Sequence, residues 1–185
     1  MIAETEKEAT KAMEAAVDFA REDLATIRTG RAHPAMFNKL NADYYGAPTP
    51  LQQLATFTSP DARTMLITPF DRSSIGAIEK AIRDADLGVN PSNDGNAIRC
   101  VMPTLTEERR KEYTKLAKQK AEDARVVVRN ARRNAMDALK KAEKDGDISE
   151  DDLARAEKSI DGITKKHVDQ VDEILKRKEQ ELLEI

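Results

Sequence analysis

Two rhythms of apolar residues run along the chain. Met13, Val17, Ala20, Leu24 and Ile27 recur at alternating spacings of four and three, which makes the seam of an amphipathic helix built to pack on another helix. The helical rhythm returns after residue 106. Tyr113, Leu116, Ala117, Ala121, Ala124, Val128, Ala131, Ala135, Leu139 and Ala142 form one stripe, and Leu153, Ala156, Ile160, Ile163, Val171, Ile174 and Leu182 form another. Thr104 to Thr106 offers a cap for the first of these helices, and Glu107 and Glu108 stand where the helix dipole favours anions. Asp145-Gly146-Asp147 ends it, and Ser149 to Asp152 is a capping-box variant that starts the next. Roughly 40 residues at about 1.5 Å each give a rod of about 60 Å. Three helices with one apolar stripe apiece bury those stripes against one another, so the pattern predicts a three-helix bundle.

The segment between the first and second helices follows a different rule. All seven prolines (Pro34, Pro48, Pro50, Pro60, Pro69, Pro91 and Pro103) and five of the seven aromatics fall between Arg31 and Thr106. Proline inside a helix costs about 3 kcal/mol, so their segregation marks an inserted domain flanked by long helices. Residues 41–45, 54–58, 63–68 and 97–102 are short β-prone runs, and 74–85 carries Ile75, Ile78, Ala81, Ile82 and Ala85 at helical spacing. NPSNDG, residues 90–95, reads as turn chemistry. The expected fold class is α+β, with a three-helix bundle from 1–29 plus 105–185 and a small β/α/β domain from 30–104. Gly30 followed by Pro34 is ordinary helix-stop chemistry. Because both ends of the insert join the bundle, two short segments connect the domains side by side. Thr29, Gly30, Arg31 and Pro34 in one, and Pro103, Thr104 and Leu105 in the other, form the expected hinge.

Charge sharpens this picture in one place. The net charge is −3, yet residues 1–28, 29–106, 107–146 and 147–185 carry nets of −3, 0, +5 and −5. The single basic segment points to a local anionic partner. Within it Arg125, Arg129, Arg132 and Arg133 share one helix face, extended by Lys118, Lys115 and Lys111. That face is centred roughly 120° from the apolar stripe and is expected to meet solvent. Glu122, Asp123 and Asp137 soften it, as on any solvated helix. The preference for arginine favours anion recognition, with RNA as the expected ligand, because the guanidinium forks phosphate and stacks on bases. Arg28 and Arg31 flank Gly30 in TIRTGR, although a helix dipole alone would satisfy Arg28. Tyr44 and Tyr45 suit base stacking, but strand alternation sends neighbours to opposite faces and at least one to the core.

Other chemistries find little support. Cys100 is a lone cysteine, and His33 and His167 complete no metal-ligand spacing. Asp61, Asp71, Asp84, Asp86 and Asp94 lack a nucleophile, a phosphate loop or a metal motif beside them, so an enzyme is not expected, nor any cofactor. No 18-residue apolar run or secretory leader is present, which predicts a cytoplasmic protein without membrane contact. Three stripes for three helices leave no spare seam, which argues against a coiled-coil adaptor, and a monomer is expected.

IRTGRA at 27–32, DYYGAPTPLQQLA at 43–55, DLGVNP at 86–91, LTEERRKEYTKLAK at 105–118, VRNARR at 128–133 and KEQELLEI at 178–185 resemble the bacterial ribosome recycling factor family over essentially the whole chain. The resemblance implies an L-shaped two-domain protein with a hinge between a three-helix bundle and a small β/α/β domain. It further implies a factor that binds the post-termination ribosome at large-subunit rRNA on the intersubunit face. With elongation factor G and that partner's GTP hydrolysis, such a factor separates the subunits and lets mRNA and deacylated tRNA leave. The rRNA contacts it implies map onto Arg129, Arg132 and Arg133, with Arg125 on the same face and Arg28 and Arg31 near the hinge. His33 departs from the small or polar residue usual between GRA and Pro.

Overall fold

The structure, a computed structural model, describes residues 1–184; the last residue of the closing KEQELLEI motif lies outside them. In chain order the elements are α1 (Ile2–Ala25), β1 (Asn41–Tyr44), β2 (Ala47–Pro50), the single turn α2 (Leu51–Leu54), β3 (Ala55–Asp61), β4 (Thr64–Pro69), α3 (Ile75–Asp84), β5 (Asn90–Asn93), β6 (Ile98–Val101), α4 (Glu107–Lys144) and α5 (Glu150–Leu183). Short 3₁₀ turns occupy Pro34–Phe37 and Arg72–Ser74. The chain divides into two compact units, residues 1–27 with 107–184, and residues 28–106. Among the described residues no helix is long and apolar enough to cross a membrane.

The first unit is three helices, each packed on the other two. Met13, Val17, Ala20, Leu24 and Ile27 are all buried, as the four-three spacing predicts. Ala9, Met13 and Ala16 meet Val128, Ala135, Met136 and Leu139 of α4 and Ala156 and Ile160 of α5 in one core. Alanine dominates the α4 stripe, which lets the helix axes come close. Leu116, assigned to that stripe by spacing, is instead 44% exposed; Ala117 beside it takes the buried position, and two adjacent residues on a helix cannot both face one seam. Two polar side chains enter the core with partners. The Thr164 hydroxyl donates to the Ile160 carbonyl at 2.8 Å, and His167 Nδ1 lies 2.7 Å from the Ile163 carbonyl oxygen. At the start of α5 the Ser149 and Asp152 side chains cap each other's backbone in a full capping box.

The second unit is a four-stranded antiparallel sheet, ordered β3-β4-β6-β5, with a separate β1-β2 hairpin and α3. Phe37, Leu51, Met65, Ile67, Ile78, Ile82, Ile98 and Cys100 are wholly buried in its core. Burial pushes the Cys100 thiol up to about 11. Residues 90–93, read as a turn from NPSNDG, form edge strand β5, with Pro91 opposite Cys100. An edge strand tolerates proline because one of its sides needs no ladder donor. The turn itself sits at Asp94, whose Oδ1 accepts from the backbone N–H of Asn96 and Ala97 at 2.9 Å each. The β1-β2 connection is a two-residue turn with positive φ at both Tyr45 (51°) and Gly46 (82°), the geometry that matches the strand twist.

Both segments that leave this unit are fastened to the same β3-β4 turn. The Ala32 N–H donates to the Ala62 carbonyl at 2.8 Å. Next to it, the Met102 N–H donates to the Arg63 carbonyl at 2.7 Å, and the Arg63 guanidinium returns Nε and Nη2 to the Met102 carbonyl at 3.2 and 2.8 Å.

Candidate nucleic-acid interface

The basic face of α4 resolves into four arginines held in four different ways. Arg125 has all its nitrogens occupied: Nε and Nη2 reach Asp172 Oδ1 of α5, each at 2.7 Å, and Nη1 reaches Glu122 Oε2 at 3.0 Å. Its side chain is 17% exposed. The expectation that all four arginines meet solvent therefore fails at Arg125, which is packed between two carboxylates because α5 runs alongside that flank of α4. Burial pulls its pKa down, and the hydrogen bonds it donates to Asp172 and Glu122 outweigh that, so the guanidinium is held charged. Arg129 gives one terminal amine, Nη1, to Glu122 Oε1 at 3.1 Å. Glu122 thus clasps two arginines, and their hydrogen bonds hold its carboxyl below the ordinary glutamate value. Arg132 donates Nε to Asp161 Oδ1 of α5 at 2.7 Å. Arg133 is exposed and has no ion pair among the described residues.

Arg129, Arg132 and Arg133 line a shallow groove of about 340 Å³ with Met136, Asp137 and Lys140, closed on the α5 side by Glu157 and Asp161. Three guanidiniums line this concave surface, two of them paired in part with Glu122 and Asp161. Lys111, Lys115 and Lys118, expected as an extension of the same face, line a second groove with Glu107, Arg110, Thr114 and Leu183. Sequence reasoning flagged Glu122 as a moderator of charge but missed Asp161 and Asp172. Both lie on α5, so the helical wheel of α4 carried no sign of them; an antiparallel pairing of the two helices would have placed both acids near these arginines.

The remaining candidates lie in the second unit. Arg28 is exposed, and its Nη2 donates to the Asp86 carbonyl at 3.2 Å. It lies across Gly88, where φ is +77° and strains any side chain, and where a Cβ would come 2.5 Å from Arg28 Nη1 and push that flexible guanidinium aside. Arg31 is exposed, and Thr29 and Gly30 are buried, Gly30 with φ 77°. Pro34 opens the 3₁₀ turn, and His33 caps it by accepting the Ala35 N–H on Nδ1 at 3.1 Å. Pro103, Thr104 and Leu105 form an irregular link into Glu107.

Tyr44 and Tyr45 break the alternation expected of strand neighbours. The positive φ at Tyr45 takes it out of the strand, so the rings meet edge-on at 4.5 Å and both hydroxyls donate to Asp71 Oδ2, at 3.0 and 3.4 Å. Tyr44 is partly buried against the core of this unit, as expected of at least one of the pair, and Tyr45 is 82% exposed. Asp71 also accepts the Ser73 hydroxyl and N–H, and these bonds, ahead of those from the tyrosines, hold it below the ordinary aspartate value.

Known proteins share this combination of a helical bundle and a small sheet unit. A solution structure described as the ribosome recycling factor superposes with a TM-score of 0.81 at 38% identity, covering 100% of this chain and 98% of that one. A second structure, titled as models of the T. thermophilus ribosome recycling factor and E. coli elongation factor G bound to the E. coli post-termination complex, gives a TM-score of 0.70 at 45% identity, with 99% of each chain covered. The fold class is thus that of solved ribosome recycling factors. The family model "Ribosome recycling factor" matches residues 20–183. Ribosome-recycling factors of Cutibacterium acnes (65% identical, 97% of each chain) and Streptomyces avermitilis (62% identical, 100% of each chain) are among the relatives. The chain belongs to the ribosome recycling factor family.

Proposed function

We propose that this chain recycles ribosomes. It binds the post-termination ribosome through large-subunit rRNA at the intersubunit face and, with elongation factor G, separates the subunits so that mRNA and deacylated tRNA leave. It acts in the cytoplasm as a monomer, without a cofactor and without catalysis of its own; the GTP is hydrolysed by its partner. The observation that carries this reading is the groove of open guanidiniums on α4 in a chain similar throughout its length to factors of that name. Arg129, Arg132 and Arg133 are the principal rRNA contacts, joined by Arg28 and Arg31. The bundle core makes the long helices stiff, and the segments between the Ala32 and Met102 fastenings and the helices are short and irregular. Thr29, Gly30, Arg31 and Pro34 in one segment and Pro103, Thr104 and Leu105 in the other serve as the hinge through which the partner's push is taken up.

A salt titration of binding to vacant ribosomes tests the site. Each neutralised phosphate releases counterions, so affinity falls steeply with salt, and Arg132→Ala lowers the slope by roughly one unit. Arg132→Lys recovers part of the loss, because an ammonium keeps the charge without the planar fork. Unchanged binding by Arg132→Ala would remove this face from the interface.

A further inference from the structure

We infer that Asp161 is a positioning residue for Arg132 in ribosome binding; the inference rests on the proposed function. Its basis is which edge of the guanidinium is taken. Asp161 Oδ1 lies 2.7 Å from Nε, and among the described residues neither terminal amine of Arg132 makes a hydrogen bond. The fork that grips phosphate in a bidentate manner can be the Nη1/Nη2 end, and that end stays open while Nε is tied to the neighbouring helix. Arg125 is the contrast on the same face. With Nε, Nη1 and Nη2 all occupied it has no nitrogen without a partner. Arg132 is 42% exposed and Asp161 56%, so both can reach the groove they line. A free arginine surrenders much rotamer freedom when it binds, and a side chain already tied at Nε surrenders less.

This role has the opposite sign from plain electrostatics. An acid at the rim of a phosphate site repels the ligand, so its removal should tighten binding. A positioning acid, once removed, should weaken it. A double-mutant cycle on vacant ribosomes at fixed salt separates the two, using wild type, Asp161→Ala, Arg132→Ala and the double variant, with Asp161→Asn as the variant that keeps an acceptor oxygen. Asp161→Ala should weaken binding about two- to fivefold, the range an exposed ion pair supports. Asp161→Asn should recover part of that, and in the Arg132→Ala background Asp161→Ala should tighten binding or leave it unchanged. Melting curves should stay close to wild type throughout. The same fold-change from Asp161→Ala in both backgrounds, in either direction, overturns the inference while leaving the arginine site standing. Wild-type binding by Arg132→Ala removes both.

Discussion

Arg125 and Arg133 sit eight residues apart on one helix face, yet one is packed between carboxylates and the other is exposed, and under the proposed function substitution should separate them. Arg125→Ala removes three bonds at 2.7 to 3.0 Å, two to Asp172 on α5 and one to Glu122. Exposed ion pairs are worth about 0.2–1 kcal/mol each. Both carboxylates are about half exposed and regain water after the change, which limits the loss, while the covered arginine stem adds packing that alanine forfeits. About 1–2 kcal/mol is the expected destabilisation. For a chain of this length that corresponds to a Tm lowered by about 2–8 °C. Arg133→Ala, at an exposed position without an ion pair, should change stability by less than about 0.5 kcal/mol. Far-UV circular dichroism melts supply one axis of the comparison and the salt dependence of ribosome binding the other. Arg125→Ala should lower Tm and keep the wild-type salt slope; Arg133→Ala should keep Tm and lose roughly one unit of slope. A flattened slope with an unchanged melt for Arg125→Ala would refute the division of duties.

Three further outcomes follow from local chemistry. Cys100, wholly buried with its thiol at about 11, should resist alkylation at neutral pH and react as denaturant opens the sheet unit; rapid labelling of the native protein would contradict that core. Asp61, Asp71, Asp94, Glu122 and Asp152 are all held below their ordinary carboxylate values. The unfolded chain therefore takes up protons first, so their contribution is present above about pH 5 and drains away as pH falls through and below about 4; a denaturation midpoint that rises on acidification across that window would count against it. Gly88→Ala should destabilise the sheet unit by about 1 kcal/mol through its positive φ and displace Arg28 from the Asp86 carbonyl, which a urea titration and amide exchange at Asp86–Gly88 would register.

Much of this architecture is legible from spacing alone, and the failures share a cause. Proline segregation separates bundle from insert because a proline penalty acts on the local backbone, whatever surrounds it. The buried seam of α1 is readable for the same reason. Asn90–Asn93 is misread because strand status there depends on the partner β6 and on an edge position, neither of which residues 90–95 encode locally. Tyr44 packs on the core as expected, but the alternation of the two rings fails because that rule presumes a continuous strand, and the hairpin turn begins at Tyr45. Arg125 fails as a solvent-facing residue because the wheel of α4 is drawn without α5. Where a property is set within one helical turn, sequence periodicity reports it; where it is set by a neighbouring element, the fold is needed.

The central claim is that this chain, lacking catalysis of its own, turns a partner's GTP hydrolysis into subunit separation through an arginine face on α4. Light scattering of purified post-termination ribosomes tests it most directly. Scattering should fall when the chain, elongation factor G and GTP are all present, and should hold steady when any one is omitted or when Arg132→Ala replaces the wild type at the same concentration. Splitting by the chain alone at stoichiometric concentration, or full splitting by Arg132→Ala, would contradict the account.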